Sequence, residues 1–204
     1  FNVDNMVSFE DGIAYSTGDP LIAVIDENGK ELAQGEESFD YYGPGLQVNF
    51  DGSVVIKEPL VFSMDRGVVS FSETGKADDP IISMPDMEIG GWGDEWKRGE
   101  PPSLNGKHLS CDPNDHVNAL AIHPHTQHIL LGTYFKLIYF DKQGKKLWEK
   151  AVPTARAVNL TEDGSKALAA LSDGTIRWYR VKDGKELFAL FVNARDRRWV
   201  LFSP

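Results

Sequence analysis

Three histidines within six residues, His123, His125 and His128 in the stretch HPHTQH, are the first side chains here whose types and spacing could do chemistry. Imidazoles two and three residues apart can converge on a transition metal. Pro124 and the polar residues around it mark a turn, however, and no cysteine or carboxylate stands beside them. They read as solvated turn residues, and the expected metal complement is none. Cys111 and Asp112 with His116 offer a thiol and an imidazole, but neither an orienting group nor an oxyanion feature accompanies them. The acidic pairs Glu10-Asp11, Glu36-Glu37, Asp78-Asp79 and Glu162-Asp163 fall in turns or inter-strand loops, where carboxylates serve backbone hydrogen bonding and solvation better than general acid and base catalysis. The sequence contains no P-loop, dinucleotide fingerprint, zinc pattern or serine nucleophile elbow. No catalytic residue and no cofactor are therefore expected.

Two groups suit recognition better than chemistry. Trp92 and Trp96 lie in a stretch rich in Gly, Pro and charge, residues 85–116, and exposed tryptophan is enriched at binding hot spots. The competing reading has both rings covering the end of a sheet. Arg195, Arg197 and Arg198 form a compact basic cluster that could meet an acidic partner or a neighbouring domain, against a plain solvated loop.

Composition narrows the partners. The chain has 204 residues, 41% of them hydrophobic, and a formal net charge of -10. That length allows a sizeable core, and the negative charge argues against binding a nucleic-acid backbone, which needs clustered Lys and Arg. No apolar run reaches the roughly 18–20 residues of a membrane span, and no signal-peptide pattern opens the chain, so neither nucleic acid nor membrane is an expected partner. The one cysteine gives no internal disulfide and fits a reducing compartment, which favours a cytoplasmic location.

The elements that must carry these residues repeat. The stretch LTEDGSKALAALSDGTIRWYRVKDGKEL from Leu160 to Leu187 reads as strand ends and strands separated by three turns, a meander. The segment from Ile122 repeats it, with Gly144-Lys145 standing 40 residues before Gly184-Lys185. A third copy runs from Phe9 to Leu32, and a fourth, longer between its first two turns, starts at Phe50. The glycine of each closing turn (Gly29, Gly75, Gly144, Gly184) supplies positive φ. The middle strands, such as 129–133 and 167–171, are almost uniformly apolar or small, as strands buried on both faces must be. Units of this size cannot bury both faces alone, so they must stack as propeller blades, expected near residues 6–34, 46–84, 117–150 and 155–192 with an insertion at 85–116.

The runs ALAIHP (119–124) and LAALSDGTIRWY (168–179) resemble the WD40-repeat family of β-propellers, most closely over the last two units. The ending GKKLW (144–148) is similar to quinoprotein-type propeller repeats, and 191–199 resembles prokaryotic proteins that join divergent WD40 arrays to caspase-like domains. The resemblance implies an all-β propeller and places His116, Asp173 and Tyr179 at tetrad-like structural positions. Tyr179-Arg180 and Phe140-Asp141 stand where the family has Trp-Asp, so an incomplete tetrad is expected. Trp199 to Phe202 followed by Ser203-Pro204 matches the first strand of a further unit, so the ring is expected to be incomplete. The function implied is a non-catalytic scaffold for a protein partner or an adjacent domain of the same chain. The alternative is an enzyme or small-ligand propeller with a site in the central channel.

Overall fold

A computed structural model describes residues 3–9, 12–17, 22–35, 46–48, 54–57, 60–63, 70–72, 87–193 and 198–204. Among these residues there is no α-helix; the one helical element is a 3-10 turn at Gly93–Glu95. The strands are β1 (Val3–Phe9), β2 (Gly12–Thr17), β3 (Ile22–Asp26), β4 (Glu31–Gly35), β5 (Gln47–Val48), β6 (Val54–Lys57), β7 (Leu60–Ser63), β8 (Ser70–Ser72), β9 (Ile89–Gly90) and β10 (Ser103–Leu104). They continue with β11 (Lys107–His108), β12 (Val117–Ile122), β13 (Ile129–Thr133), β14 (Lys136–Phe140), β15 (Lys146–Ala151), β16 (Ala155–Leu160), β17 (Lys166–Leu171), β18 (Thr175–Arg180), β19 (Glu186–Val192) and β20 (Trp199–Phe202).

These strands build antiparallel meanders in the orders β1-β2-β3-β4, β5-β6-β7-β8 and β12-β13-β14-β15, a five-stranded sheet β16-β17-β18-β19-β20, and a small sheet β11-β10-β9. The fold is all-β and propeller-like, compatible with an open ring. Gly75 and the later part of the second unit lie outside the described residues.

Turn chemistry explains why the meanders form where they do. Gly29, Gly144 and Gly184 have φ of 75°, 80° and 66° in the closing turns. Asp26, the last residue of β3, and Asp141, the residue after β14, each accept two backbone N–H groups through Oδ1, from Asn28 and Lys30 and from Gln143 and Lys145. In the last meander that strand-end position is Arg180, and the turn is one residue longer. There Asp183 takes over, accepting from the Lys185 N–H and from Arg180 itself. The departure from Trp-Asp at residue 180 is thus absorbed within the turn.

The sheets stack through apolar faces, and their order in space is not their order in sequence. The β12–β15 sheet packs on the β16–β19 sheet through Leu130, Leu137, Tyr139, Ala167, Ala169 and Tyr179. Gly132 permits the close approach, since a Cβ there would lie 2.8 Å from Ala155 Cβ and from Val158 Cγ1. The opposite face of the β12–β15 sheet is covered by Met87, Ile89, Leu104 and Leu109. Residues 85–116 are therefore more than an inserted loop. From residue 87 they contribute a three-stranded sheet that fills the place of the preceding blade. With that place taken, Val48, Val54 and Phe62 of the β5–β8 sheet bury themselves against Leu168, Ile176 and Trp178 on the free face of the β16–β19 sheet.

Asparagine side chains of the first strands, β12 and β16, bridge two of these junctions. Asn118 Nδ2 donates to the Ala155 carbonyl at 3.3 Å, and Asn159 Nδ2 donates to the Leu46 carbonyl at 3.1 Å.

Trp199 to Phe202, the expected first strand of a further unit, is β20. β20 pairs antiparallel with β19, with Leu190 opposite Leu201 and Val192 opposite Trp199, as a fifth strand on the outer edge. The physical reason is that this edge satisfies the backbone of β20 while Trp199 and Leu201 cover the cluster around Phe62.

Candidate functional site

The turn between β13 and β14 carries two exposed aromatic residues, Tyr134 at 43% and Phe135 at 63% exposure. Its backbone is held on every side. The Tyr134 N–H donates to the His116 carbonyl at 3.0 Å, and the Tyr134 carbonyl accepts from the Thr154 hydroxyl at 3.2 Å. The Phe135 N–H donates to Thr133 Oγ1 at 3.2 Å, and the Phe135 carbonyl accepts from the Val152 N–H at 3.0 Å. Thr133 is in turn anchored on buried Asp115, whose Oδ2 accepts its hydroxyl at 2.7 Å. All four main-chain polar groups of the two residues are thus bonded within the protein, and the two rings are exposed on a fixed backbone.

Behind the turn the rings continue inward. Tyr134 stacks on His116 at 4.9 Å between centroids with a 17° tilt, and His116 lies 4.5 Å from Trp96. The row Phe135, Tyr134, His116, Trp96 joins the β13–β14 turn to the segment ahead of β12. Burial raises the Asp115 carboxyl above the usual carboxylate range; the Thr133 hydrogen bond and Lys136 oppose that rise.

Of the residues singled out in the sequence, Trp96 falls in this row, half-buried. Trp92 packs against the core of the β12–β15 sheet, the covering role weighed for it above. Arg195 and Arg197 lie outside the described residues; Arg198 is exposed, and its carbonyl accepts from the Asn193 N–H at 2.8 Å.

Of the tetrad-like residues, Asp173 and Tyr179 flank the same Arg177, and His116 lies apart from them. His116 stacks between Trp96 and Tyr134 rather than bonding an aspartate. Asp173 accepts from its own turn, from the Thr175 hydroxyl at 2.6 Å, and pairs with Arg177. Arg177 also reaches Glu186 at 3.4 Å, and Tyr179 sits buried beside Arg177. Asp173, Arg177 and Glu186 thus form a local ion network inside one sheet, with Arg177 supplying the counter-charge for both carboxylates.

The histidine turn shows why HPHTQH holds no converging ligand set. His123 Nδ1 accepts the Thr126 N–H at 3.1 Å, which leaves Nε2 as the donor to the Glu162 carbonyl of the neighbouring sheet at 2.9 Å. His128 Nδ1 is engaged by the Tyr139 hydroxyl at 2.9 Å. No group of three or more potential metal ligands occurs among the described residues. Cys111 is half-buried, and burial pushes its thiol up to about 12, which disfavours the nucleophilic thiolate.

No protein-family model and no curated protein matches this chain. Among solved structures, one titled "Structure of Dos1 propeller" is similar at 11% identity and a TM-score of 0.42. The match covers 98% of this chain and 64% of that one, so the chain spans less than two thirds of its length. The antiparallel meanders pack face to face as propeller blades do. No helix among the described residues is long and apolar enough to cross a membrane.

The Tyr134–Phe135 turn was not singled out in the sequence. A signal was present: two consecutive aromatic residues between apolar strands occupy a tight turn, where Gly, Asn and Asp usually stand.

Proposed function

We propose that this chain is a non-catalytic β-propeller scaffold of the WD40 type, part of a larger multidomain protein, and that it binds a protein partner through Tyr134 and Phe135. The observation that carries the reading is the fully bonded backbone beneath those two exposed rings. Aromatic side chains on a fixed backbone lose little conformational freedom on binding and bury large area, which is the profile of an interface anchor. Trp96 and His116 support the row from behind and make the turn a rigid ridge.

The test is quantitative affinity capture with the wild-type chain, with Tyr134→Ala/Phe135→Ala, and with Leu147→Ala, an exposed apolar control on β15. Specific partners should be depleted at least about tenfold by the double substitution, equivalent to ~1.4 kcal/mol, and retained by the control. Equal capture by the double variant, with its melting temperature unchanged, would refute the reading.

A further inference from the structure

We propose that Tyr139 is a one-electron redox site: on meeting an outer-sphere one-electron oxidant, the chain moves an electron from Tyr139 to Trp148 and the phenolic proton to His128. All three belong to one sheet. Tyr139 lies on β14 with Trp148 opposite it on β15, and His128 directly precedes β13. The Tyr139 and Trp148 rings stack at 5.2 Å between centroids with a 20° tilt, so the electron crosses one contact between π systems. The Tyr139 hydroxyl lies 2.9 Å from His128 Nδ1, within reach for direct proton transfer.

The direction of that hydrogen bond follows from burial. Tyr139 is 3% exposed, and among the described residues Nδ1 is the one partner of its hydroxyl. A phenol so placed donates to the imidazole, since the reverse bond would leave a buried O–H without an acceptor. Burial pushes the phenol up to about 12 and lowers the imidazole from its ordinary value, against the pull of Asp141. At neutral pH the resting pair is therefore a neutral phenol and a neutral imidazole with Nδ1 as acceptor.

Electron and proton then leave by separate routes. The oxidant takes one electron from the half-buried Trp148 indole, leaving its radical cation. The indole Nε1–H is held by the Val181 carbonyl, a poor base, so the ring keeps its proton and draws an electron from Tyr139. As that electron leaves, the phenolic O–H bond breaks and an N–H bond forms at His128 Nδ1. The products are a restored Trp148, a neutral Tyr139 phenoxyl radical, a His128 imidazolium and the oxidant reduced by one electron. Proton departure keeps a cation off the buried ring, where it would be costly, and leaves the charge on a half-buried imidazole that Asp141 favours. Tyr179, a second buried phenol of the same cluster, sits instead beside the Arg177 guanidinium, which accepts no proton. The relay shares no residue with the Tyr134–Phe135 turn.

Flash photolysis of the 204-residue chain with a ruthenium polypyridyl sensitiser and a cobalt(III) ammine quencher tests the proposal, with radicals followed by transient absorption and electron paramagnetic resonance. The wild type and Tyr134→Phe, which lacks an exposed phenol, should form the same long-lived tyrosyl radical, because a buried ring cannot couple to another. Tyr139→Phe should lose that signal and leave the indole radical in its place. His128→Leu, with an unchanged circular-dichroism spectrum, should form the tyrosyl radical at least about tenfold more slowly. In the wild type, formation should slow in deuterium oxide, since the proton moves with the electron. A long-lived tyrosyl signal undiminished in Tyr139→Phe, a His128→Leu variant as fast as wild type, or equal wild-type rates in light and heavy water would each overturn it.

Discussion

The indole Nε1 of Trp148 donates a 2.7 Å hydrogen bond to the carbonyl of Val181, 33 residues later and in the neighbouring sheet. The same ring stacks on Tyr139 at 5.2 Å and lies over Gly184, where a Cβ would sit 2.8 Å from Trp148 Cδ2. One side chain of β15 therefore fastens the closing turn of the next sheet, and Gly184 serves both the positive φ and the close contact. Gly184→Ala should destabilise the fold by about 1–3 kcal/mol through backbone strain and the clash. Trp148→Phe, which keeps a stacking ring but loses the donor, should cost roughly 1 kcal/mol. Chemical denaturation of both variants checks the ranking; a Gly184→Ala protein as stable as wild type would show that this turn adapts freely.

Phe62 is fully buried, with the rings of Trp178 and Trp199 each 6.0 Å away. Phe62→Ala should cost about 3–5 kcal/mol if the site cannot collapse. The loss should appear as faster amide exchange in residues 46–63, with the β12–β15 sheet protected as before. Uniformly faster exchange through residues 117–151 would mean that the β5–β8 sheet is not a separable layer on the β16–β19 sheet.

Asp115 has a carboxyl raised by burial, so ionisation opposes folding above its unfolded value, and the penalty is relieved as pH falls through the folded value. Asp115→Asn keeps an acceptor for the Thr133 hydroxyl without the charge. Its melting temperature should exceed that of wild type at neutral pH, and the gap should close in acid. A lower melting temperature at neutral pH would refute the desolvation account.

Asp163 and Asp183 behave in the opposite sense. Partial burial works against ionisation of Asp163, but the Thr161 hydroxyl and Ser165 hold it at about 2, and the Arg180 guanidinium holds Asp183 at about 2. Carboxyls depressed on folding stabilise above the unfolded value, near 3.8, and that contribution fades as pH falls toward 2. Asp183→Asn should therefore flatten the dependence of melting temperature on pH between about 4 and 2. An identical slope in wild type and variant would remove Asp183 from the acid response.

What the sequence determined alone is local. The closing turns at Gly29, Gly144 and Gly184 and the doubly buried strands 129–133 and 167–171 were legible because turn chemistry and strand burial depend on neighbours a few residues away. From those, stacked meanders followed, since a single unit has two apolar faces to cover. The tertiary structure decided which face each unit covers: Met87, Ile89, Leu104 and Leu109 occupy one side of the β12–β15 sheet, and Phe62 goes to Trp178 instead. It likewise set β20 beside β19, placed His116 between Trp96 and Tyr134 while Asp173 and Tyr179 flank Arg177, and left Tyr134 and Phe135 exposed on a bonded backbone. Apolar strands carry almost no information about partner identity, because burial rewards any complementary face. Competition among faces for cover, together with hydrogen bonds between residues distant in sequence, settles the arrangement only when the chain is folded.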